Sequence, residues 1–310
     1  MHWYRVNAME KKKRRFSFRL AVQLAFTALS NGYITGFMKG KIYQGPLKQL
    51  CLPGLNCYSC PGALGSCPIG ALQAVIASRN FSMSYYVLGF LMMVGALGGR
   101  LVCGFLCPFG LAQDLLHKIP LPRKMKIRRI PGEGRIGYLR YGVLLAFVVL
   151  LPMLAVNIIG QGDPWFCKYI CPSGTLMGGV PLVMLGQGFR DAADTLFDWK
   201  LMVLVFFAVF SIVYYRPFCR FLCPLGAIYG LTNPVSIYRY RLVEERCTHC
   251  GACRRACKLG IDPAKAPNSP QCIRCGECVK ACPHHALLPT VAGKTCDRGC
   301  ETCGKCKQAG

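Results

Sequence analysis

Residues 247–257 read C-T-H-C-G-A-C-R-R-A-C, and residues 272–283 read C-I-R-C-G-E-C-V-K-A-C-P. Both copies have the spacing C-x2-C-x2-C-x3-C, and 14 residues separate them. Thiolates at this spacing hold [4Fe–4S] clusters, with three ligands from one copy and the fourth from the other. Gly251 and Gly276 let the backbone turn tightly around one corner of each cluster.

This crossed pattern assigns the cysteines of the two copies to two clusters. The first cluster is assigned Cys247, Cys250, Cys253 and Cys282. The second is assigned Cys272, Cys275, Cys278 and Cys257. Structural zinc sites are the alternative, but they usually use two C-x2-C pairs far apart, which two four-cysteine runs do not match. The run resembles that of a bacterial two-cluster ferredoxin, except that Lys258 stands where proline is usual.

The composition predicts a membrane protein. Of the 310 residues, 53% are hydrophobic and only 16% are charged, and the mean hydropathy is +0.33. The formal net charge of +25 fits cationic loops beside a membrane better than nucleic-acid binding, because nucleic-acid binders are rarely this apolar. We therefore expect membrane lipid, and no nucleic acid, as a partner. The 22 cysteines suit metal clusters better than the disulfide framework of a small secreted domain.

Apolar stretches of suitable length predict membrane-spanning helices. The predicted spans are Phe16–Phe37, Ser82–Leu101, Tyr138–Ile159 and Trp199–Tyr215. Each is close to the roughly 20 residues needed to cross the hydrocarbon core. Another apolar stretch, Gly174–Phe189, is short and rich in glycine, and it predicts a re-entrant or interfacial helix.

The loop charges give these spans an orientation. Residues 11–15, 117–129 and 216–241 are basic, whereas residues 160–198 carry several aspartates and few cations. Positively charged loops stay in the cytoplasm. We therefore expect both termini and the ferredoxin-like run to be cytoplasmic, and residues 160–198 to lie outside.

A short cysteine pattern recurs beside the predicted spans. C-P-x-G, followed by small or apolar residues, begins at Cys67, Cys107, Cys171 and Cys223. Proline is favoured at the first helical position, so each of these cysteines is predicted to precede a helix. The N–H groups and partial positive charge of a helix start stabilise an anionic cluster. The last three copies have another cysteine four residues earlier, and the first has Cys60 seven residues earlier.

The predicted topology groups these cysteines into two further ligand sets. A cluster at the cytoplasmic face is assigned Cys103, Cys107, Cys219 and Cys223. A cluster at the outer face is assigned Cys60, Cys67, Cys167 and Cys171. Two alternatives stay open. In the first, Cys51 and Cys57 join Cys60 and Cys67 in a local cluster, and the pair 167/171 is either left without a cluster or replaces two of these ligands. In the second, Cys51 and Cys57 form a disulfide.

The C-terminal tail repeats the cysteine spacing in reverse. Its cysteines are Cys296, Cys300, Cys303 and Cys306. They predict a further cluster, with a zinc site or a redox-active tail as alternatives. The chain is thus expected to hold about four or five [4Fe–4S] clusters.

Motifs for other chemistries are missing from the sequence. There is no C-x-x-C-H for haem attachment, and the histidines lie outside the predicted spans, so we expect no haem. We find no dinucleotide-binding or phosphate-binding glycine motif and no hydrolytic triad. The chain is predicted to carry electrons, and whether it is an enzyme itself stays open.

The predicted spans, the C-x3-C-P pairs and the ferredoxin-like run together resemble the NapH/NosR-type membrane polyferredoxins over residues 82–285. The most specific matches are C-G-F-L-C-P-F-G at 103–110 and C-R-F-L-C-P-L-G-A-I-Y-G at 219–230. The resemblance implies electron transfer between quinol or cytoplasmic donors and extracytoplasmic redox partners. The outer-face cysteines and the cysteine-rich tail are additions to that pattern and suggest a longer row of clusters.

We therefore predict a mainly α-helical integral membrane protein of the cell membrane, with about four transmembrane helices in two pseudo-repeated halves. Its segments are a basic N-terminus (1–15), a transmembrane iron–sulfur domain (16–240), a cytoplasmic two-cluster ferredoxin-like α+β domain (241–290) and a tail (291–310). The predicted function is electron transfer, through a chain of [4Fe–4S] clusters, between a cytoplasmic donor and a membrane or extracytoplasmic acceptor. The expected partner proteins are a ferredoxin or flavoprotein inside and a redox protein outside. The alternatives are a quinol dehydrogenase subunit with its own quinone site and a factor for copper reduction or assembly.

Overall fold

Helices make up most of the chain up to residue 232, and a small antiparallel sheet follows. The computed structural model describes residues 18–78, 81–120, 122, 125–127, 130, 132–155, 162–185 and 195–295, without the side chains of residues 81–84 and 294–295. The basic run at 11–15 and the predicted fifth ligand set lie outside the described residues. That set comprises Cys296, Cys300, Cys303 and Cys306.

Two groups of helices follow the same order along the chain. The first group, after α1 (Phe18–Ser30) and α2 (Ile34–Lys39), is α3 (Pro68–Ser78), α4 (Phe81–Gly98), α5 (Leu101–Phe105) and α6 (Pro108–His117). The second group, after α7 (Glu133–Leu154), is α8 (Pro172–Leu185), α9 (Thr195–Val213), α10 (Pro217–Phe221) and α11 (Pro224–Thr232). Each group has a Cys-Pro helix, a long apolar helix, a short helix that carries a cysteine, and a second Cys-Pro helix. This order matches the two halves that the cysteine pattern predicts.

Two helices of the described residues, α7 and α9, are long and apolar enough to cross a membrane. The side chains that α9 exposes follow helical spacing, at Met202, Val205, Phe206 and Val209, and are each more than half exposed. An apolar stripe of this kind is what a lipid-facing helix presents. α7 contains a π-type stretch at Leu144–Leu150.

The first predicted span differs from the structure. A single helix was expected up to Phe37, but α1 ends at Ser30 and α2 begins at Ile34. The break has a tertiary cause, because the carbonyl of Ser30 accepts the N–H of Leu64, in a loop distant in sequence, over 3.0 Å. The predicted re-entrant stretch is helical as α8, which is shorter than a spanning helix.

The C-terminal part is a sheet that packs on the helices. Strand β1 (Tyr238–Leu242) pairs antiparallel with β2 (Leu287–Val291), which pairs with β3 (Lys294–Thr295). The short helices α12 (Ala252–Ala256) and α13 (Glu277–Lys280) contact each other beside this sheet. 

One side chain joins this part to α11. The amide nitrogen of Asn233 donates to the carbonyls of Ser269 and Cys272 over 2.9 and 2.8 Å. Asn233 is fully buried, and its side-chain oxygen accepts the N–H of Arg100 over 2.9 Å. The C-terminal part is therefore fixed to the ends of both α4 and α11.

Candidate iron–sulfur sites

Each Cys-Pro pair begins a helix, as predicted: α3, α6, α8 and α11 start at its proline. At α6 and α11 the cysteine side chain also caps the helix. Gly110 N–H donates to Cys107 Sγ over 3.4 Å, and Gly226 N–H donates to Cys223 Sγ over 3.3 Å. The glycine of C-P-x-G thus supplies the hydrogen bond, and the helix N-terminus favours a negatively charged sulfur.

The inner set comprises Cys103, Cys107, Cys219 and Cys223. These residues are at most 6% exposed and lie within electrostatic range of one another. Burial, with the neighbouring Cys107 and Cys103, raises the pKa of the Cys219 thiol to about 12. Because thiols must lose their protons to ligate a metal, loading this set releases protons.

Two arginines cross between the halves at the inner set. Arg100 Nη2 donates to the carbonyl of Cys219 over 2.8 Å, and Arg216 Nη1 donates to the carbonyl of Cys103. Each arginine stands three residues before the C-x3-C-P pair of its own half. It donates to the backbone carbonyl of the first cysteine in the matching pair of the other half. The contacts are reciprocal, so they tie the two halves together around the set. The sequence does not reveal these contacts, although both arginines share the same place in R-x2-C-x3-C-P.

The buried charge at the inner set is positive. Its buried arginines are Arg100, Arg140, Arg216 and Arg220. Asp114 pairs with Arg216, and Glu133 pairs with Arg220. Arg140 lies beside Arg100 and within electrostatic range of Cys223, and its Nε and Nη1 have no hydrogen-bond partner among the described residues. An anionic group is therefore needed here, and a cluster held by four thiolates supplies one.

The outer set comprises Cys57, Cys67, Cys167 and Cys171, which lie within electrostatic range of one another. They line a cavity of about 1210 Å³. A Cβ added to Gly174 would lie 3.6 Å from Cys57 Sγ and 4.0 Å from Cys171 Sγ. The missing side chain leaves room between these two sulfurs for a bound group.

Cys60 contacts this set only next to Cys57, whose carbonyl accepts the Cys60 N–H over 3.1 Å. Its Sγ is 3.6 Å from Asn31 Oδ1, and it is not among the residues that line the cavity, whereas Cys51 is. The structure thus groups Cys57 with Cys67, Cys167 and Cys171, whereas the sequence pattern predicts Cys60 in that position. The spacing of cysteines along the chain does not predict which of the two lies beside Cys67, because that depends on how the loop folds back. All 18 described cysteines are free, so Cys51 and Cys57 form no disulfide in the structure.

One loop links the inner and outer sets. The loop packs on Cys107 of the inner set, since a Cβ added to Gly54 would lie 3.0 Å from Cys107 Cα and the Leu55 backbone lies close to the Cys107 thiol, and Cys57 belongs to the outer set. Leu55 and Cys57 are two residues apart, so their backbones lie within about 7 Å of each other. The carbonyl of Pro53 accepts the hydroxyl of Tyr229 over 3.1 Å, which anchors the loop on α11. The two sets are therefore neighbours.

The C-terminal part contains the eight cysteines that the crossed pattern assigns to two sets. The proximal set, Cys257, Cys272, Cys275 and Cys278, lines one small cavity. The distal set is Cys247, Cys250, Cys253 and Cys282, in which Cys253 lies within electrostatic range of Cys282 and Cys250 is exposed. Cys257 and Cys275 pack against the same apolar core that contains Cys103 and Cys223. The proximal set thus lies where the C-terminal part packs on the helices, and Cys250 of the distal set is exposed to solvent.

The described cysteines are not arranged around single ions. No three His, Cys, Asp or Glu side chains within the described ranges converge tightly enough to hold one metal ion. A zinc ion would bring its sulfurs to about 4 Å from one another, given a Zn–S bond of about 2.3 Å. A cubane separates its four thiolates more widely, so it does not require such tight convergence.

Comparison with known proteins identifies the domain type. A 4Fe-4S binding domain family matches residues 83–129, 141–183 and 197–237, and a second one matches 268–288. An uncharacterised protein of Methanocaldococcus jannaschii is 26% identical over 233 residues, which cover 74% of this chain and 87% of that protein. No solved structure matches the chain.

Two named relatives are ferredoxin-type proteins. The methylamine utilization ferredoxin-type protein MauN of Methylorubrum extorquens is 30% identical over 63% of this chain and 58% of its own length. The ferredoxin-type protein NapH of Haemophilus influenzae is 26% identical over 59% of this chain and 56% of its own length. The chain spans little more than half the length of either relative.

Proposed function

Because the chain belongs to the NapH/NosR-type polyferredoxin family, we propose that it carries electrons across the membrane between a soluble cytoplasmic carrier and a redox partner outside. It is an iron–sulfur protein of the electron-transfer type, and several [4Fe–4S] clusters supply one-electron chemistry when bound. The observation that carries the proposal is the continuity of the four cysteine sets.

The proposed route follows residues that are in contact. It runs from the exposed distal set to the proximal set within the C-terminal part. Arg220 of α10 donates to the carbonyl of Leu259, two residues from Cys257, over 2.9 Å, and so joins the proximal and inner sets. The loop from Leu55 to Cys57 joins the inner and outer sets. No step requires a jump across unconnected parts of the protein.

The membrane placement is also a proposal. We infer four spans, built on α1, α4, α7 and α9, with both termini in the cytoplasm. The exposed apolar stripe of α9 and the basic loop at 117–129 support it. On this topology the inner set lies towards the cytoplasm and the outer set towards the other side.

Electron transfer across a bilayer tests the proposal. The purified protein would be reconstituted in liposomes that enclose an oxidised dye, with a membrane-impermeant reductant added outside. We expect dye reduction that depends on the protein and on its iron. The assay would be repeated with the reductant enclosed and the dye outside. If iron-loaded protein gave no dye reduction in either arrangement, the proposed electron transfer across the membrane would be contradicted.

The outer ligands can be tested separately, with Cys57 and Cys60 as a matched pair. We expect Cys57→Ser to lose about four of the roughly 16 iron atoms that four cubanes hold. Cys60→Ser should keep all of them, because its sulfur faces Asn31. Iron and acid-labile sulfide per chain are the measurement. The opposite result would restore Cys60 as the ligand.

A quinol dehydrogenase is a second candidate, favoured by the cavity at the outer set. At about 1210 Å³ the cavity exceeds what a cluster needs, and Tyr86, Val87 and Leu182 line it. A quinone ring fits a pocket of that character beside a redox centre. Reduction of the clusters by a soluble quinol analogue, in the absence of another protein, would support this candidate, and a lack of reduction would exclude it.

A further inference from the structure

Two glutamines touch cysteine sulfurs in the same way, one at each buried set. Gln113 Nε2 donates to Cys219 Sγ over 3.1 Å, and Gln73 Nε2 donates to Cys167 Sγ over 3.3 Å. Both glutamines are at most 1% exposed. Each stands six residues after a Cys-Pro cysteine, in C-P-x-G-x2-Q. The same element of the repeat therefore places both amides.

From this geometry we propose that Gln73 and Gln113 are positioning residues that raise the reduction potentials of the outer and inner clusters by hydrogen bonding to a cysteine of the opposite half. The inference rests on the proposed function, since it requires clusters at both buried sets.

The chemistry follows from the charge of the sulfur. Reduction adds one negative charge to a cluster and its thiolates. A hydrogen-bond donor to a ligating sulfur stabilises that charge, so it favours the reduced form. Both donors come from the first half, and both acceptors are the first cysteine of a pair in the second half. The hydrogen bonds therefore form only where the two halves meet.

The rest of the Gln113 side chain supports a role beyond packing. Its Oε1 is buried and has no hydrogen-bond partner among the described residues. Leaving a buried amide oxygen unpaired is costly, and an apolar side chain would avoid that cost. By contrast, Gln73 Oε1 accepts the N–H of Phe166 over 3.0 Å. What the two glutamines share is the donated bond to sulfur.

The second half provides a control. The residue six positions after Cys171 is Met177, whose side-chain sulfur accepts a hydrogen bond from Ser173. Met177 has the same place in the repeat and no donor group. Met177→Leu is therefore the matched control for a change at this position.

The test is a redox titration followed by electron paramagnetic resonance on anaerobically purified full-length protein. We expect Gln113→Leu to lower the midpoint potential of one cluster and Gln73→Leu to lower that of a different cluster, with iron per chain unchanged. Met177→Leu should shift neither. Unchanged potentials in both glutamine variants with full iron would overturn the inference. Unmutated protein with only the iron of the C-terminal clusters would overturn the proposed function as well.

A measurement on the unmutated protein covers the case in which a variant loses its cluster. Pulsed paramagnetic resonance of reduced protein, labelled with ¹⁵N only in glutamine side chains, should detect nitrogen coupled to the cluster spin. Gln113→Leu and Gln73→Leu should each remove part of that coupling wherever the cluster survives. No ¹⁵N coupling in fully loaded, unmutated protein would overturn the inference.

Discussion

Asp114 is the buried carboxylate to which the charges near the inner set are tied. Its Oδ1 and Oδ2 accept hydrogen bonds from Arg216 over 2.8 and 2.6 Å, and Arg19 and Gln23 also donate to it. Burial alone would raise the pKa of Asp114, but the guanidinium groups of Arg216 and Arg19 hold it well below its ordinary value. The residue is therefore charged at neutral pH, and α1 is joined through it to α6.

We expect Asp114→Asn to destabilise the protein by about 3–5 kcal/mol, because removing one partner leaves buried arginines unpaired. The measurement is thermal unfolding in detergent, together with iron content. Asp163→Asn is the control, since the pair between Asp163 and Lys168 is about one-third exposed and contributes at most about 1 kcal/mol. Equal effects of the two substitutions would contradict this account of Asp114.

At the scale of elements, the residues that follow α4 help to attach the C-terminal part to the helices through Asn233. Gly99 has a positive φ of 52°, and a Cβ there would lie 2.3 Å from Asn233 Oδ1. Asn233 in turn binds the carbonyl of Cys272 in the proximal set. A side chain at position 99 would therefore displace the residue that connects α4, α11 and the C-terminal part.

We expect Gly99→Ala to cost at least about 1–2 kcal/mol from the left-handed backbone alone, with more from the clash. It should also speed proteolytic release of the C-terminal part. Gly89→Ala on the same helix is the control, because its Cβ would meet nothing within 4 Å. That change should be neutral or stabilise by up to about 1 kcal/mol. Similar proteolysis of the two variants would argue against the role of Asn233.

The sequence predicts some of these elements better than others, for physical reasons. The helix starts at the Cys-Pro pairs are predictable, because the preference for proline at the first helical position depends only on the local sequence. The ferredoxin-like spacing is likewise local. In contrast, the choice of Cys57 over Cys60 depends on how a loop folds over Cys107, and no nearby residue encodes it. The break after Ser30 also comes from a distant loop. Arg100 and Arg216 had a readable repeat, but their crossing contacts are tertiary.

For the whole molecule, the distribution of the +25 charge predicts the orientation in the membrane. We expect alkaline phosphatase fused after residue 295 to be inactive and a fluorescent protein at the same site to be bright, because both report a cytoplasmic end. Phosphatase fused near residue 165 should be active. An active phosphatase after residue 295 would contradict the proposed four spans.

The crossed arginines and cysteines also have a consequence for the order of events during synthesis. The outer set lacks a ligand until Cys171 has been made, and the inner set until Cys223 has been made. Cys278 then completes the proximal set, and Cys282 completes the distal set. A ribosome therefore finishes the four sets in the order in which they follow one another along the proposed electron route, counted from its outer end. Arg216, which braces Cys103, emerges only shortly before Cys223. Iron loading of the first half must therefore wait for the second, and a chain stalled before residue 216 holds unfilled, unbraced thiols that protein quality control can recognise.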